Sequence, residues 1–392
     1  MNQPIWRRWI EIWLVSTKLG FTSFGGPIAH LGYFQHEYVQ KRKWLDQKSY
    51  ADLIALCQFL PGPASSQVGI SIGMLRGGVI GGVISWFGFT MPSVLLLMIA
   101  AIFLTGHNIQ QEGIISGLKI VAVAVVAQAV LGMGKTLTPD RPRLAIAIGS
   151  SVVLLVWTYT FVQIGTILLA ALFGIFMYRQ ESVEEEVELP FSKSKAGAII
   201  SLSLFFVLLA VLPLLSWKSS SIWFEMMDTF YRAGAIVFGG GHVVLPILQQ
   251  EVVPHLLSKE HFLAGYGAAQ AVPGPLFTFS SYLGTVVKGW SGGLLATFAM
   301  FLPSFLLVMG VLPFWNELRR NKRVRAALLG VNASVVGILL ASLYDPVFVG
   351  AVSNAHDFAL ALICFGLLVY GKVPAFVVVM LGVAGSFILT YM

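Results

Sequence analysis

The sequence predicts an all-α polytopic membrane protein made of two inverted-topology repeats with broken, re-entrant helices. Three observations lead to this prediction. Apolar stretches of membrane length recur along the chain, in which 57% of the residues are hydrophobic and 11% are charged, and a bilayer requires about 20 apolar residues per helix. The same helix-breaking motifs occur in both halves. Lysine and arginine lie at opposite ends of the two copies, as cytoplasmic basic loops require of inverted units.

The repeat is defined by two short motifs, Phe-Gly-Gly and Pro-Gly-Pro. They occur at Phe24-Gly25-Gly26 and Pro61-Gly62-Pro63, and again at Phe238-Gly239-Gly240 and Pro273-Gly274-Pro275. Neither motif continues an α-helix, because proline removes a backbone donor and glycine relaxes the chain. Unpaired backbone groups are not tolerated against lipid. We therefore expect each motif to break a re-entrant segment that faces protein or a cavity.

The repeat divides the chain into three parts. Residues 1–178 form the first copy, residues 179–217 an acidic linker with one additional apolar helix, and residues 218–392 the second copy. Four spans per copy together with the linker helix predict nine crossings of the membrane. The spans expected in the first copy are 79–104, 114–131, 144–157 and 161–178.

Clusters of basic residues indicate the orientation of the copies. Lys41-Arg42-Lys43 lies between the two motifs of the first copy, whereas the matching stretch 254–260 holds only Lys259. The second copy has its basic cluster over 319–325, and the matching stretch 106–113 has neither lysine nor arginine. Because basic loops stay inside the cell, the copies are predicted to be inverted, in the inner (plasma) membrane, with a cytoplasmic N-terminus. The same clusters account for the net charge of +7 without a nucleic-acid partner.

Two cations sit at equivalent repeat positions. Lys18 and Arg232 each precede a Phe-Gly-Gly motif by six residues. An ionisable group at the bilayer centre costs about 2.5–3.5 kcal/mol on insertion scales, so those that occur there usually face a cavity. In an inverted pair these cations approach one pseudo-twofold axis from opposite sides, which suits a doubly charged anion. The alternative is that they reach an interface or neutralise Glu11 and Glu225.

The segments that follow Pro63 and Pro275 add a second source of positive potential. Proline is tolerated in the first turn of a helix, and the free amides of that turn attract oxyanions; a plain structural kink is the alternative. Nearby side chains that are candidates to bind the anion are Ser65, Ser66, Thr278, Gln58 and Gln270, the glutamines alternatively capping the broken backbone. The repeated carboxylates Glu37 and Glu251 are candidates to couple a proton, although Glu37 alternatively pairs with Lys41.

Other functional classes lack support in the sequence. Cys57 and Cys364 lie far apart in apolar runs, and no metal-ligand spacing occurs. Gly239 to Gly241 are not followed by the Gly-Lys-Ser/Thr of a phosphate-binding loop, so ATP is not expected to drive the protein. The seven histidines do not repeat and are expected at interfaces. We therefore expect no enzyme activity, no cofactor and no metal.

The motifs resemble the chromate ion transporter family of bacteria and archaea. The first copy carries this resemblance in FGGPIAHLGYFQHEYVQKRKWLD and QFLPGPASSQVGISIGMLRGG, and the second in VFGGGHVVLPILQQEVV and QAVPGPLFTFSSYLG. The resemblance implies a long, two-domain member that exports chromate and confers chromate resistance. Gly241-His242 replaces Pro27-Ile28 in the second copy, so the two copies need not share one role.

Several functions stay open at this point. A sulfate or other oxyanion transporter and a passive anion channel would use the same residues. An intramembrane enzyme acting on a phosphorylated lipid is a further alternative, which the absence of an acid/base pair or nucleophile triad disfavours. The predicted partners are a chromate-like or sulfate-like dianion, the lipid bilayer and a coupling proton, and a homodimer is compatible with the sequence.

Overall fold

The chain forms helices almost throughout. The computed structural model describes residues 4–24, 26–105, 112–157, 160–178, 195–219, 221–237, 244–253, 255–315, 318 and 321–390. The structure is 89% helical, and none of the described residues lies in a strand. This confirms the prediction of an all-α protein.

The first copy contains seven helices over the described residues, and two of them begin at side-chain caps. The Asp46 carboxylate accepts a hydrogen bond from Ser49 N at 2.9 Å, and the Asp140 carboxylate accepts one from Arg143 N at 2.9 Å. The second helix continues as a π-helix over Gln35–Lys41. The helices are α1 (Ile5–Thr22), α2 (Gly26–Phe34), α3 (Gln47–Phe59), α4 (Ala64–Thr105), α5 (Glu112–Leu137), α6 (Arg141–Val156) and α7 (Thr160–Met177).

The linker helix and the second copy follow in a similar order. A 3₁₀ turn over Leu276–Thr278 leads into the longest of these helices, and a π-helical stretch over Leu343–Phe348 follows α13. The helices are α8 (Lys195–Lys218), α9 (Ile222–Ile236), α10 (Val244–Val252), α11 (Lys259–Ala271), α12 (Phe279–Val311), α13 (Lys322–Ser342), α14 (Ala355–Val369) and α15 (Ala375–Thr390).

Several helices have the length and composition of membrane spans. Among the described residues, five are long and apolar enough to cross a membrane, and three shorter apolar helices accompany them. Each span predicted in the first copy coincides with a helix or with one arm of a helix. In the most apolar segment of the linker helix α8, 22% of the residues are buried, whereas 50–67% are buried in the corresponding segments of the other four helices. Most of the surface of α8 is therefore available to lipid.

The long helices α4 and α12 fold back on themselves at equivalent positions. Gly78 has φ/ψ of 67°/−166°, and Gly289 has 63°/−155°; both values lie in a region that glycine adopts at little cost. Ser85 Oγ donates to Gly69 O across the first reversal at 2.8 Å. A Cβ atom at Gly73 would collide with the Gly81 carbonyl oxygen, so glycine lets the two arms touch. Neither reversal was predicted from the sequence.

The chain packs into two compact units that do not follow the division into copies. The first unit comprises Met1–Met98, Glu184–Gly241 and Pro273–Arg320, and the second comprises Ile99–Val183, His242–Val272 and Asn321–Met392. Each unit takes segments from both copies. The boundaries 1–178, 179–217 and 218–392 therefore describe the repeat in the sequence, whereas tertiary packing mixes the copies.

The core of the first unit is aromatic and aliphatic. Its fully buried residues include Phe34, Leu56 and Val68 from the first copy and Tyr231 and Val308 from the second. The Tyr231 hydroxyl donates to Phe205 O in the linker helix at 3.0 Å. Because residues of both copies are buried in one core, each copy gains its hydrophobic stabilisation only when the other copy is present.

The second unit is held together by small residues at helix crossings. Gly330 of α13 lies against the backbone of Ala170 in α7, and Gly337 lies against that of Ala147 in α6. Ser150 Oγ and Ser334 Oγ are 3.0 Å apart across the same interface. Small side chains allow helix backbones in a membrane to approach closely and gain dispersion energy.

Candidate anion site at the broken helices

The breaks of the first copy lie at the tips of helical hairpins. α3 and the first arm of α4 fold back on each other around Pro61-Gly62-Pro63, which brings Cys57 Sγ to 4.0 Å from Ser71 Oγ. α1 folds back on α2 and its π-helical extension in the same way, and Lys18 Nζ reaches Glu37 Oε2 at 3.1 Å. The helix–break–helix hairpins predicted at the two motifs are therefore present in this copy, and their re-entry into the membrane stays a prediction.

Each Pro-Gly-Pro tip is bonded to the other copy. Gly62 N donates to Val237 O at 2.6 Å, and Gly274 N donates to Ser23 O at 2.9 Å. Val237 and Ser23 occupy equivalent positions immediately before the two Phe-Gly-Gly motifs. A reciprocal exchange of this kind is what a twofold relation between the copies produces.

Glycine is required at the centre of both tips. Gly62 has φ of +112° and Gly274 has φ of +104°, where L side chains are strained. A Cβ atom at Gly62 would lie 2.7 Å from Ser304 Oγ, and one at Gly274 would lie 2.7 Å from Ser93 Oγ. Ser93 and Ser304 are themselves equivalent in the repeat, so each tip presses against a serine of the other copy.

Several buried hydroxyl groups around these tips have no hydrogen-bond partner. They are fully buried, and within the described part of the chain no donor or acceptor reaches them. Leaving a buried polar group unsatisfied costs about 1–3 kcal/mol, so such groups mark a place for water or a polar ligand. These atoms are Ser23 Oγ, Ser66 Oγ, Thr90 Oγ1 and Ser304 Oγ.

The two copies differ in the first turn after Pro-Gly-Pro. Thr278 Oγ1 donates to Pro275 O at 2.7 Å, and since a hydroxyl has one hydrogen to donate, it cannot donate to an anion in this state. In the first copy, Ser66 Oγ has no partner within the described ranges, while Ser65 Oγ lies 3.3 Å from His30 Nδ1. The departure from strict symmetry that the sequence indicated thus extends to the hydroxyl groups.

The glutamines that precede the two Pro-Gly-Pro tips, Gln58 and Gln270, are not the side chains that bond the broken backbone. Gln58 is exposed, and Gln67 caps the break instead, with Nε2 donating to Pro61 O at 2.6 Å. Gln270 lies near the end of α11 and has a buried, unpartnered Nε2. A ligand contact from Gln58 or Gln270 stays a prediction.

Two residues of the first Phe-Gly-Gly motif lie within the described part of the chain. Phe24 is half-buried at the first break, and Gly26 begins α2 with φ of +80°. Gly25 lies outside the described residues, as do Phe238, Gly239 and Gly240.

The two repeated cations are paired with carboxylates other than those expected. Lys18 Nζ lies 3.1 Å from Glu37 Oε2, and Arg232 bonds both carboxylate oxygens of Asp228, one turn back on α9, at 2.9 and 2.8 Å. Asp228 is buried but has no equivalent in the first copy, where Leu14 occupies its position. The repeat positions therefore gave no indication that Asp228 is the partner of Arg232. The convergence of Lys18 and Arg232 on one axis stays a prediction.

Glu37 is the centre of an ion network. It is 3% exposed and accepts hydrogen bonds from Lys18 at 3.1 Å and from Arg42 Nε at 2.8 Å, with Lys41 Nζ 3.7 Å away. Burial acts to raise the pKa of Glu37, but the hydrogen bonds from Arg42 and Lys18 and the charges of Lys18 and Lys41 outweigh it and lower that pKa. Glu37 is thus ionised at neutral pH, and a coupling role would require this network to open.

The network extends to a second carboxylate. Glu11 accepts from Arg42 Nη1 at 3.0 Å and from Arg76 Nη2 at 2.6 Å. The Arg76 guanidinium lies 4.4 Å from the centre of the Trp44 ring. Glu251, the repeat equivalent of Glu37, lies in α10, and its coupling role is likewise a prediction.

Sequence comparisons identify the family. The family model described as chromate transporter matches residues 10–175 and 224–387. The chain belongs to the chromate transporter family. The two matched stretches correspond to the two copies of the repeat and confirm the resemblance found in the motifs. The long apolar helices, together with this membership, indicate a multi-pass membrane protein.

Relatives in the family span most of the chain. An uncharacterised transporter of Methanocaldococcus jannaschii is 25% identical over 338 residues, which are 85% of this chain and 83% of the relative. A chromate transport protein of Pseudomonas aeruginosa is 25% identical over 84% of this chain and 78% of its own. One of Cupriavidus metallidurans is 26% identical over 82% and 78%. No solved structure matches the chain significantly. These relatives are transporters, in agreement with the expectation that the chain is not an enzyme.

Proposed function

We propose that this chromate transporter family member exports chromate from the cell as a secondary transporter and thereby confers chromate resistance. The observation that carries the proposal is the reciprocal bonding of the two Pro-Gly-Pro tips, which brings buried, unpartnered hydroxyl groups of both copies to one region of the first unit. A tetrahedral dianion offers four oxygen acceptors to such donors. Hydrogen bonds to a charged group contribute about 1.5–3 kcal/mol each.

In this proposal the hydroxyl groups of Ser23, Ser66 and Ser304 bind the oxyanion directly. The free amides at the start of α4 add positive potential, since the first turn of a helix attracts anions. Lys18 and Arg232 supply the balancing charge, although each is paired with a carboxylate in the state described. Release of both Glu37 and Asp228 as the anion enters would let the two cations balance its two negative charges.

Transport then requires access to alternate between the two sides. The bonds that join Gly62 to Val237 and Gly274 to Ser23 lie between the copies, so a rocking of one copy against the other breaks and remakes them. An inside-negative potential favours outward movement of a dianion by roughly 4.6 kcal/mol per 100 mV, twice the value for a single charge. We further propose an inner-membrane location with the N-terminus in the cytoplasm.

The decisive experiment measures chromate flux in proteoliposomes, with and without an imposed membrane potential. Flux that rises with the potential and accumulates chromate against its gradient is expected. Absence of flux under both conditions would defeat the proposal, and flux that only dissipates a gradient would make the protein a channel.

Competition by sulfate, molybdate and phosphate identifies the preferred oxyanion, and stronger competition by sulfate than by unlabelled chromate would make sulfate the substrate.

A further inference from the structure

One buried histidine lies beside the hairpin tips and has an open ring nitrogen. His30 is on α2, one turn after the first break, and is 1% exposed. Its Nδ1 lies 3.3 Å from Ser65 Oγ, and its Nε2 is buried with no partner among the described residues. The expectation that the histidines lie at interfaces is wrong for this one. A ring nitrogen left open at such a place needs a ligand or water to pair with it.

The groups that face the His30 ring are uncharged. Ser65 belongs to the first arm of α4, and the ring of Phe89 in its second arm lies edge-on with centroids 5.5 Å apart. A hydrogen bond between the ring and the backbone of Ser23 favours the protonated imidazole, but burial outweighs it. On its own segment the nearest ionised group is Glu37, seven residues on, which is occupied by Lys18 and Arg42. No carboxylate among these groups is placed to stabilise a charged imidazole.

We propose that His30 binds the oxyanion in its doubly protonated form, so that one proton occupies the site together with the dianion. This inference rests on the proposed function and names the proton carrier of the same site. Without anion, Nδ1 donates its hydrogen to Ser65 Oγ and Nε2 keeps a lone pair, because burial disfavours the imidazolium. When the dianion enters, Nε2 takes a proton from water and donates it as a hydrogen bond to an anion oxygen.

The chemistry balances with one proton per transport cycle. The proton is taken from solvent at an O–H bond on one side, held as Nε2–H while the anion is bound, and returned to solvent when the anion leaves on the other side. The N–H bond formed on binding is broken on release, so the protein ends the cycle unchanged. The moving unit then carries one net negative charge instead of two. Histidine suits this task because its ordinary pKa is near 6.5, so a nearby anion charges it at neutral pH. Glu37, which is already ionised, does not have to change its protonation state.

The test compares His30→Gln with a matched control, His36→Gln. His36 lies on the same segment but is exposed and bonds Gln40, so its loss should leave transport unchanged. Chromate affinity is obtained from flux in proteoliposomes between about pH 7 and 8.5. Affinity of the unaltered protein and of His36→Gln should fall about tenfold per pH unit, because binding takes up one proton. His30→Gln retains a hydrogen-bond donor but cannot take up the proton, so its affinity should not vary with pH.

A pH-sensitive dye trapped in the vesicles provides a second readout. Chromate entry should acidify the lumen in the unaltered protein and not in His30→Gln. Equal pH slopes in the two proteins, or a flat profile in the unaltered protein, overturn the role of His30 while the transport function stands. No chromate flux in the unaltered protein overturns the proposed function and this inference with it.

If His30→Gln fails to insert, Ser65→Ala decides the question. This variant keeps His30 and removes the partner of Nδ1, so the affinity at each pH between about 7 and 8.5 should change while the tenfold fall per pH unit remains. Loss of that slope, or an affinity profile identical to that of the unaltered protein, overturns the proposal.

Discussion

At the scale of single residues, the candidate site depends on buried hydroxyl groups that have no hydrogen-bond partner among the residues the structure describes. Ser66 is the simplest case, because its equivalent in the second copy, Thr278, donates to its own backbone, whereas Ser66 Oγ has no partner among the described residues. No hydrogen bond within the described part of the chain accounts for a polar atom at this position. A ligand that accepts a hydrogen bond does account for it.

Ser66→Ala should therefore weaken oxyanion transport without unfolding the protein. Loss of one hydrogen bond to a charged ligand, about 1.5–3 kcal/mol, corresponds to roughly 10- to 150-fold in affinity. Flux measured as a function of chromate concentration in proteoliposomes gives this change. The control is Ser203→Ala on the exposed face of α8, which should behave like the unaltered protein. An affinity unchanged by Ser66→Ala would remove this hydroxyl from the site.

The repeated cations make a second prediction at this scale. Lys18→Ala or Arg232→Ala should abolish chromate resistance of cells that express the protein, since either change leaves Glu37 or Asp228 with less compensating charge and adds negative potential near the anion. Membrane insertion, followed by the amount of protein in the membrane fraction, should be intact. If both single variants keep full resistance, the paired cations do not belong to the site.

At the scale of elements, the Pro-Gly-Pro tips combine two requirements. Each central glycine has a positive φ, and at each a Cβ atom would lie 2.7 Å from the Oγ of a serine of the other copy. The first requirement belongs to the local backbone and the second to tertiary packing. Both must be met for the tip to donate its amide hydrogen across the copies.

Gly62→Ala should destabilise the protein. The strained φ contributes about 1–2 kcal/mol, and the contact with Ser304 Oγ adds about 1–3 kcal/mol of overpacking. Thermal unfolding in detergent measures the change against Gly132→Ala, where a Cβ meets open space in α5. The double variant Gly62→Ala/Ser304→Gly should recover part of the loss, because it relieves the contact but not the strain. Equal stability of Gly62→Ala and the control would contradict this account of the tip.

At the scale of the whole molecule, the two copies share one core and exchange backbone hydrogen bonds. Gly62 of the first copy and Gly274 of the second both find their acceptors in the other copy. The buried cluster of the first unit draws residues from both copies and from the linker helix. Neither copy can complete this unit alone.

A chain divided within residues 179–194 tests this dependence. Either fragment expressed alone should fail to transport chromate, because its tip glycine lacks an acceptor and its core face lacks a partner. Co-expression of the two fragments should restore flux in proteoliposomes toward that of the undivided chain. Transport by one fragment on its own would show that a single copy suffices.

Much of this architecture could be predicted from the sequence. The apolar length of the spans determined a polytopic helical protein, because a bilayer accepts little else, and the recurrence of Phe-Gly-Gly and Pro-Gly-Pro determined the repeat and the breaks. These properties are local, since backbone chemistry and hydrophobic length act on each segment by itself. Ser93 and Ser304 occupy equivalent positions of the repeat, but the repeat does not indicate that they pack against the Pro-Gly-Pro tips.

The tertiary structure alone decided which groups meet. It paired Arg232 with Asp228 and Glu11 with Arg42 and Arg76, whereas repeat positions had favoured other partners, because an ion pair forms with whatever carboxylate the packing brings within reach. It reversed α4 and α12 at Gly78 and Gly289, and it buried His30 beside Ser65. Contacts between residues distant in sequence depend on the packing of whole helices, and spacing along one chain does not contain that information.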